Sequence, residues 1–225
     1  MYDHGLYAGC ETLEEVLEHR QQYGEYIDFK RAWEELSEFP LSGFQGHAYT
    51  WNYEAAFLLG AEGRKSIRNK ETYEYVFEDA RLGRSDGDSF SGEARPLPKS
   101  DVEGSGPYGH VWSSVDDYHH EVRNQRRKQF NKYLVGNDIV EWIVVSGERN
   151  LMMQVLRSMF KLEKRVTFEG SSSKRPYTVY EANIAEDQSV YVVHAPFFGQ
   201  GRTSYQDAVD AGRLLVHEVE GKVNG

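Results

Sequence analysis

The stretch Val190-Tyr191-Val192-Val193-His194-Ala195-Pro196-Phe197-Phe198-Gly199-Gln200-Gly201-Arg202 decides how this chain is read. An unbroken apolar run over 190–193 has the pattern of a strand buried on both faces. It ends at a histidine and is followed by a proline and two glycines. A helix then begins near Ser204, boxed by Asp207, with Ala208, Ala211, Leu215 and Val219 on its inner face. Ile139–Val145, followed by Ser146-Gly147 and a helix through Leu151, Val155, Leu156 and Met159, repeats the strand-then-helix order. Val166–Phe168 and Tyr177–Ile184 flank the polar turn Gly170–Pro176 as a hairpin.

Further upstream, Ala55–Leu59 is another continuous apolar run, stopped at Gly60-Ala61-Glu62-Gly63, and is expected to be an early central strand. Leu41–Tyr53 before it reads as loop. Thr12 and Glu15 box a helix near 13–23, and Tyr26, Phe29, Trp33 and Leu36 stripe a second that ends before Pro40. Ser113 or Ser114 caps a long helix carrying Val115, Tyr118, Val122, Phe130, Tyr133 and Leu134, stopped by Gly136. Strand–helix alternation predicts an α/β fold, with helices on both sides of a central, mostly parallel sheet in three layers. The whole chain, 1–225, is expected to be a single domain. Residues 1–40 supply N-terminal helices, and 83–109 form a long polar loop rich in Gly, Ser, Asp and Pro.

Composition narrows the function. The net charge is −10 with 26 Lys+Arg against 36 Asp+Glu, which excludes a chain whose whole surface coats nucleic acid but permits a local basic patch. The single cysteine, Cys10, excludes an internal disulfide and a cluster of thiolate ligands. No apolar run approaches the roughly 20 residues that span a bilayer. A cytoplasmic protein without membrane contact is expected. No phosphate-cradling loop, dinucleotide fingerprint or nucleophile elbow is present, and no cofactor is expected.

Ligands of α/β sheets sit beyond the carboxyl ends of the strands, which selects the loops after Leu59 and after Val193. In the second, His194 can carry or donate a proton near neutral pH. Pro196 shapes the turn, Gly199 and Gly201 let backbone N–H groups approach a ligand, and Arg202 can meet a phosphate or carboxylate. The helix N-terminus that follows adds affinity for anions. In the first, Glu62 between Gly60 and Gly63 can orient water or stabilise positive charge, with Arg64 and Lys65 attracting phosphate. The plainer alternative makes both segments ordinary turns. Asp116, Asp117, His119 and His120 open a helix and are too few for a metal site, so none is expected. Arg123, Arg126, Arg127 and Lys128 make a basic run, with Arg64, Lys65, Arg68 and Lys70 elsewhere. Each run is a solvated face unless the two converge on a phosphate track.

With both loops in view, Leu58-Leu59-Gly60-Ala61-Glu62-Gly63 and His194-Ala195-Pro196 through Arg202 resemble the two signature loops of the uracil-DNA glycosylase superfamily. Ile143-Val144-Val145-Ser146-Gly147 and its helix resemble the strand and helix before the second loop. The first loop lacks the family's usual proline, and Ala195 separates His194 from Pro196. The resemblance implies a parallel-sheet α/β fold and hydrolysis of the N-glycosidic bond of a base flipped out of DNA, since the reacting carbon is inaccessible in the stack. It implies that Glu62 orients water or stabilises the cationic sugar and that His194 stabilises the departing base. Tyr73 or Phe77 would stack on the base, while Arg202 and the Gly199–Gly201 backbone would hold phosphate. The alternative is a non-catalytic module of α/β fold that binds nucleic acid, a nucleotide or a protein partner.

Overall fold

The computed structural model describes residues 15, 18, 28–37, 41–43, 49–84, 86–87, 89, 111–136, 140–147, 151–199 and 202–223. Its helices are α1 (Phe29–Ser37), α2 (Tyr49–Ala61), α3 (Asn69–Tyr73), α4 (Val115–Leu134), α5 (Leu151–Met159) and α6 (Tyr205–Val223). A turn of 3-10 helix covers Leu41–Gly43, and a π-helical turn, Glu74–Glu78, follows α3. The strands are β1 (Trp142–Ser146), β2 (Lys161–Glu169), β3 (Pro176–Ala185) and β4 (Gln188–Ala195). These residues divide into two compact units. One comprises 1–47 with 74–122, and the other 48–73 with 123–225.

The second unit holds the whole sheet, in the order β1-β4-β3-β2. β1 runs parallel to β4, while β3 is antiparallel to both β4 and β2. The α/β class is therefore present, but the sheet is mixed and not mostly parallel. Two tight turns explain the difference: Gly170–Arg175 and the short link at 186–187 join β2, β3 and β4 as hairpins, which makes neighbours antiparallel. Only the β1-to-β4 relation spans the long excursion that parallel pairing needs.

Side chains alternate across each strand. Tyr177 and Val179 of β3 and Tyr191, Val193 and Ala195 of β4 enter one core with Tyr53, Ala56 and Phe57 of α2 and Ala208, Val209, Ala211 and Leu215 of α6. On the opposite face, Ala182, Val190 and Val192 are also fully buried. Helix α5 lies on this side, its Arg157 guanidinium 5.9 Å from the centre of the Tyr180 ring.

The expected strand over 55–59 is the interior of the 13-residue helix α2, and the expected loop over 41–53 contains the start of that helix. Ala-Ala-Phe-Leu-Leu contains no β-branched residue and is rich in strong helix formers, so local preference favours the helix. Period alone does not separate a buried strand from a helix that is apolar on nearly every side. Gly60 and Gly212 set the distance between α2 and α6. A Cβ on Gly60 would lie 2.2 Å from the Val209 carbonyl oxygen, and one on Gly212 would lie 2.1 Å from that of Phe57.

The first unit, in its described part, is built around the π-helical turn, where Tyr75, Val76 and Phe77 are buried. Gly83 accepts a hydrogen bond from the Phe29 N–H, and Arg84 pairs with Asp28 at 3.2 Å. Tyr118 packs edge-on against Trp112, ring centres 5.0 Å apart. The cap of α4 forms as the sequence implies: Ser114 Oγ accepts the Asp117 N–H, and the Asp117 carboxylate accepts both the Ser113 and Ser114 hydroxyls. Those hydroxyls, Ser113 foremost, lower the Asp117 pKa. Gly136, at φ 77°, lies just past the helix end. The helix expected near 13–23 lies outside the described residues apart from Glu15 and Glu18, and most of the 83–109 loop lies outside them as well.

Candidate functional site

The two segments singled out in the sequence belong to different layers. His194 alternates with Val190 and Val192, so its side chain leaves the sheet on the face that α5 covers. Helix α2, which leads into Glu62, packs on the opposite face with Tyr191, Val193 and Ala195. The helix leading into Glu62 and the His194 side chain therefore lie on opposite faces of the sheet.

Gly60-Ala61-Glu62-Gly63 is a helix end. The Arg64 N–H bonds to the Leu59 carbonyl and the Gly63 N–H to that of Gly60, the paired closure made possible by Gly63 at φ 92°. Gly60 is a packing residue, not a contact for substrate. Glu62 is exposed at the carboxyl end of a helix, where the dipole disfavours a carboxylate. Arg64 and Arg68 both pair with Glu71, at 3.9 and 3.5 Å. The Arg68 N–H foremost, with these cations, holds the Glu71 carboxyl below its ordinary pKa. The basic run at 64–70 is thus partly neutralised from within.

Phe77 cannot stack on a base, because it is 1% exposed in the core of the first unit. Tyr73 is half-buried at the end of α3, in the second unit. Gly201 lies outside the described residues.

Among the described strands, the carboxyl ends of β1 and β4 form the one pair that the parallel-sheet rule identifies. His194 Nε2 lies 2.6 Å from the Gly147 carbonyl oxygen, just past β1. The Gly147 N–H bonds back to Ala195 at 3.0 Å, with Gly147 at φ 121°. A carbonyl only accepts, so Nε2 carries the proton and Nδ1 is the acceptor in the neutral ring. Pro196, Phe198 and Gly199 are buried, whereas Phe197 is 52% exposed. Gly199 lets the Phe197 ring fold close over the backbone, since a Cβ there would meet the ring at 2.5 Å.

Phe198 and Thr203 of this loop are held from the core side, by a network invisible in the linear sequence. Thr50 donates to the Phe198 carbonyl at 3.2 Å, and Tyr53 to that of Thr203 at 3.0 Å. The Tyr177 hydroxyl lies 2.5 Å from Thr203 Oγ1. Burial pushes the Tyr177 pKa up to about 12, against the Thr203 hydrogen bond, so both hydroxyls stay neutral. Arg202 is exposed, its N–H closing a turn onto the Gly199 carbonyl at 3.1 Å.

Asp207 alters what the start of α6 can bind. The expected box with Ser204 forms, the Ser204 hydroxyl accepting the Asp207 N–H at 3.0 Å. The carboxylate, fully buried, also accepts the N–H groups of Ser172 and Ser173 at 2.9 Å each and that of Ser204 at 3.3 Å. Burial opposes its ionisation, but these hydrogen bonds prevail and lower its pKa. A negative charge already occupies this helix start, so the expected anion affinity is offset there.

Among the described residues no cluster of His, Cys, Asp and Glu stands close enough to hold a metal ion, and no helix is long and apolar enough to cross a membrane. No protein-family model, curated protein or solved structure matches the chain.

Proposed function

We propose that this chain is a non-catalytic α/β module that binds a nucleobase or nucleotide at the carboxyl end of the β1–β4 pair. The observation that carries this reading is the contact of His194 Nε2 with the Gly147 carbonyl, which leaves Nδ1 of the neutral ring as an acceptor. Such an acceptor suits the imino or amino N–H of a base. The exposed Phe197 ring supplies a stacking face of the kind bases use irrespective of sequence. The hydroxyl contacts of Tyr177 and Tyr53 support pre-organisation of Thr203, which lowers the cost of binding.

Hydrolysis of the glycosidic bond, the activity implied by the resemblance to uracil-DNA glycosylases, requires Glu62 and His194 to act on one sugar and its base. The helix that leads into Glu62 packs on the sheet face opposite His194, which favours binding over that reaction. The test is titration calorimetry with mononucleotides, alongside base-release assays on uracil- and hypoxanthine-containing DNA. Binding that weakens about tenfold or more in both His194→Ala and Phe197→Ala, without base release, is the expected result. Base release that disappears in Glu62→Ala and His194→Ala would restore the hydrolytic reading. Absence of any nucleotide binding would remove the site from consideration.

A further inference from the structure

The register places two rows of side chains on the sheet face to which His194 belongs, polar except for Val192, which is fully buried. In the first row Thr167 of β2, Thr178 of β3 and His194 of β4 are direct neighbours, with the two threonine hydroxyls 3.1 Å apart. In the second, Lys164 of β2 stands beside Tyr180 of β3, and Val192 follows on β4. Arg157 of α5 reaches over from the helix to the Tyr180 ring, 5.9 Å from its centre. Lys164 and Arg157 are exposed, and Tyr180 and Thr178 are half-buried.

The bulge at Arg165 sorts the charges. It directs Arg165 to Glu181 and to Glu163, both on the opposite face, and leaves Lys164 on the face with Tyr180. Neither Lys164 nor Arg157 forms an ion pair with a described residue. Glu169 is the carboxylate of this face on β2, at the strand's end beyond Thr167. A protein of net charge −10 therefore keeps, beside one aromatic ring, two cations without an ion pair among the described residues.

We infer that the part of this face left accessible beside α5, from Lys164 and Tyr180 to Thr167, Thr178 and His194, is a binding surface for single-stranded nucleic acid. It rests on the nucleotide-binding reading and extends it from the strand end across the sheet. Tyr180 stacks on one base, Arg157 and Lys164 meet flanking phosphates, and the Thr167–Thr178 hydroxyls bond to sugar or phosphate oxygens. The chain of the nucleic acid then continues toward His194. Neighbouring strands stand about 5 Å apart and successive same-face residues about 7 Å apart, a scale that suits adjacent nucleotides. A duplex keeps its bases stacked and offers none to the ring, so single strands are preferred.

The test uses the full chain, a fluorescent ten-nucleotide oligothymidylate read by anisotropy, and thymidine monophosphate read by calorimetry. Tyr180→Leu, which keeps an apolar side chain against the sheet, is expected to weaken oligonucleotide binding about tenfold. Arg157→Gln with Lys164→Gln is expected to weaken it and to lower the slope of log affinity against log salt by about 1.4. Both variants should bind the mononucleotide as the parent does. Oligonucleotide binding lost in His194→Ala but unchanged in the sheet-face variants would overturn this surface and leave the strand-end site standing. Oligonucleotide binding lost only in the sheet-face variants, with no mononucleotide binding, would retain the surface and remove the strand-end site. Equal affinity for a polyglutamate peptide, or no oligonucleotide binding, would overturn the assignment to nucleic acid.

Discussion

Gly60 shows how one residue type serves opposite readings. A glycine after an apolar run suggests a loop close to a ligand, yet here it lies within a helix and admits the Val209 carbonyl of α6. Gly60→Ala gains helix propensity worth up to about 1 kcal/mol. It also drives a methyl to within 2.2 Å of backbone, and the helices must separate. The clash wins, because backbone cannot rotate away as a side-chain tip does. Gly60→Ala is expected to lose about 1–3 kcal/mol in urea unfolding. Gly221→Ala on α6, with nothing within 4 Å of the added methyl, should be neutral or stabilising by less than about 1 kcal/mol. Equal effects of the two changes would show that the contact between α2 and α6 is not close.

At the scale of elements, Asp207 fastens the β2–β3 turn to the start of α6. Gly170 makes room for it, since a Cβ there would lie 2.6 Å from the Asp207 carboxyl carbon. Asp207→Ala leaves the N–H groups of Ser172 and Ser173 without their acceptor and should cost about 2–3 kcal/mol. The folded pKa lies below the ordinary value of 3.8, so the stabilisation is complete above the unfolded pKa and is lost as pH falls through the folded one. Stability of the parent should therefore drop steeply below about pH 4, and Asp207→Asn should flatten that drop. Thermal unfolding across that range, compared between the two proteins, measures it. An identical acid profile would remove Asp207 from the account.

Over the whole molecule, the cations of the sheet face work against a field set by a net charge of −10. That field repels a polyanion over a Debye length of about 8 Å or more and weakens as pH approaches the pI of 5.3. Oligothymidylate affinity at low salt is expected to be severalfold higher at pH 6 than at pH 8, with the difference shrinking as salt is raised. Anisotropy titrations at the two pH values check this. A pH-independent affinity would mean that the local contacts are insulated from the global charge.

The sequence by itself determined the α/β class, the cap and stop of α4, the hairpin over Gly170–Pro176, the strand at 190–193 and the box that starts α6. Each is a short-range matter, settled by side chains within one turn of helix or by alternation along one strand. Tertiary structure decided that 55–59 is helix, that the sheet is mixed, and that the helix leading into Glu62 packs on the face opposite His194. Those outcomes depend on which surfaces meet, and an apolar run such as Ala55–Leu59 satisfies burial as either helix or strand. The row of Thr167, Thr178 and His194 was equally out of reach, because register is a relation between strands 11 and 16 residues apart in sequence, fixed by the turns and the bulge at Arg165.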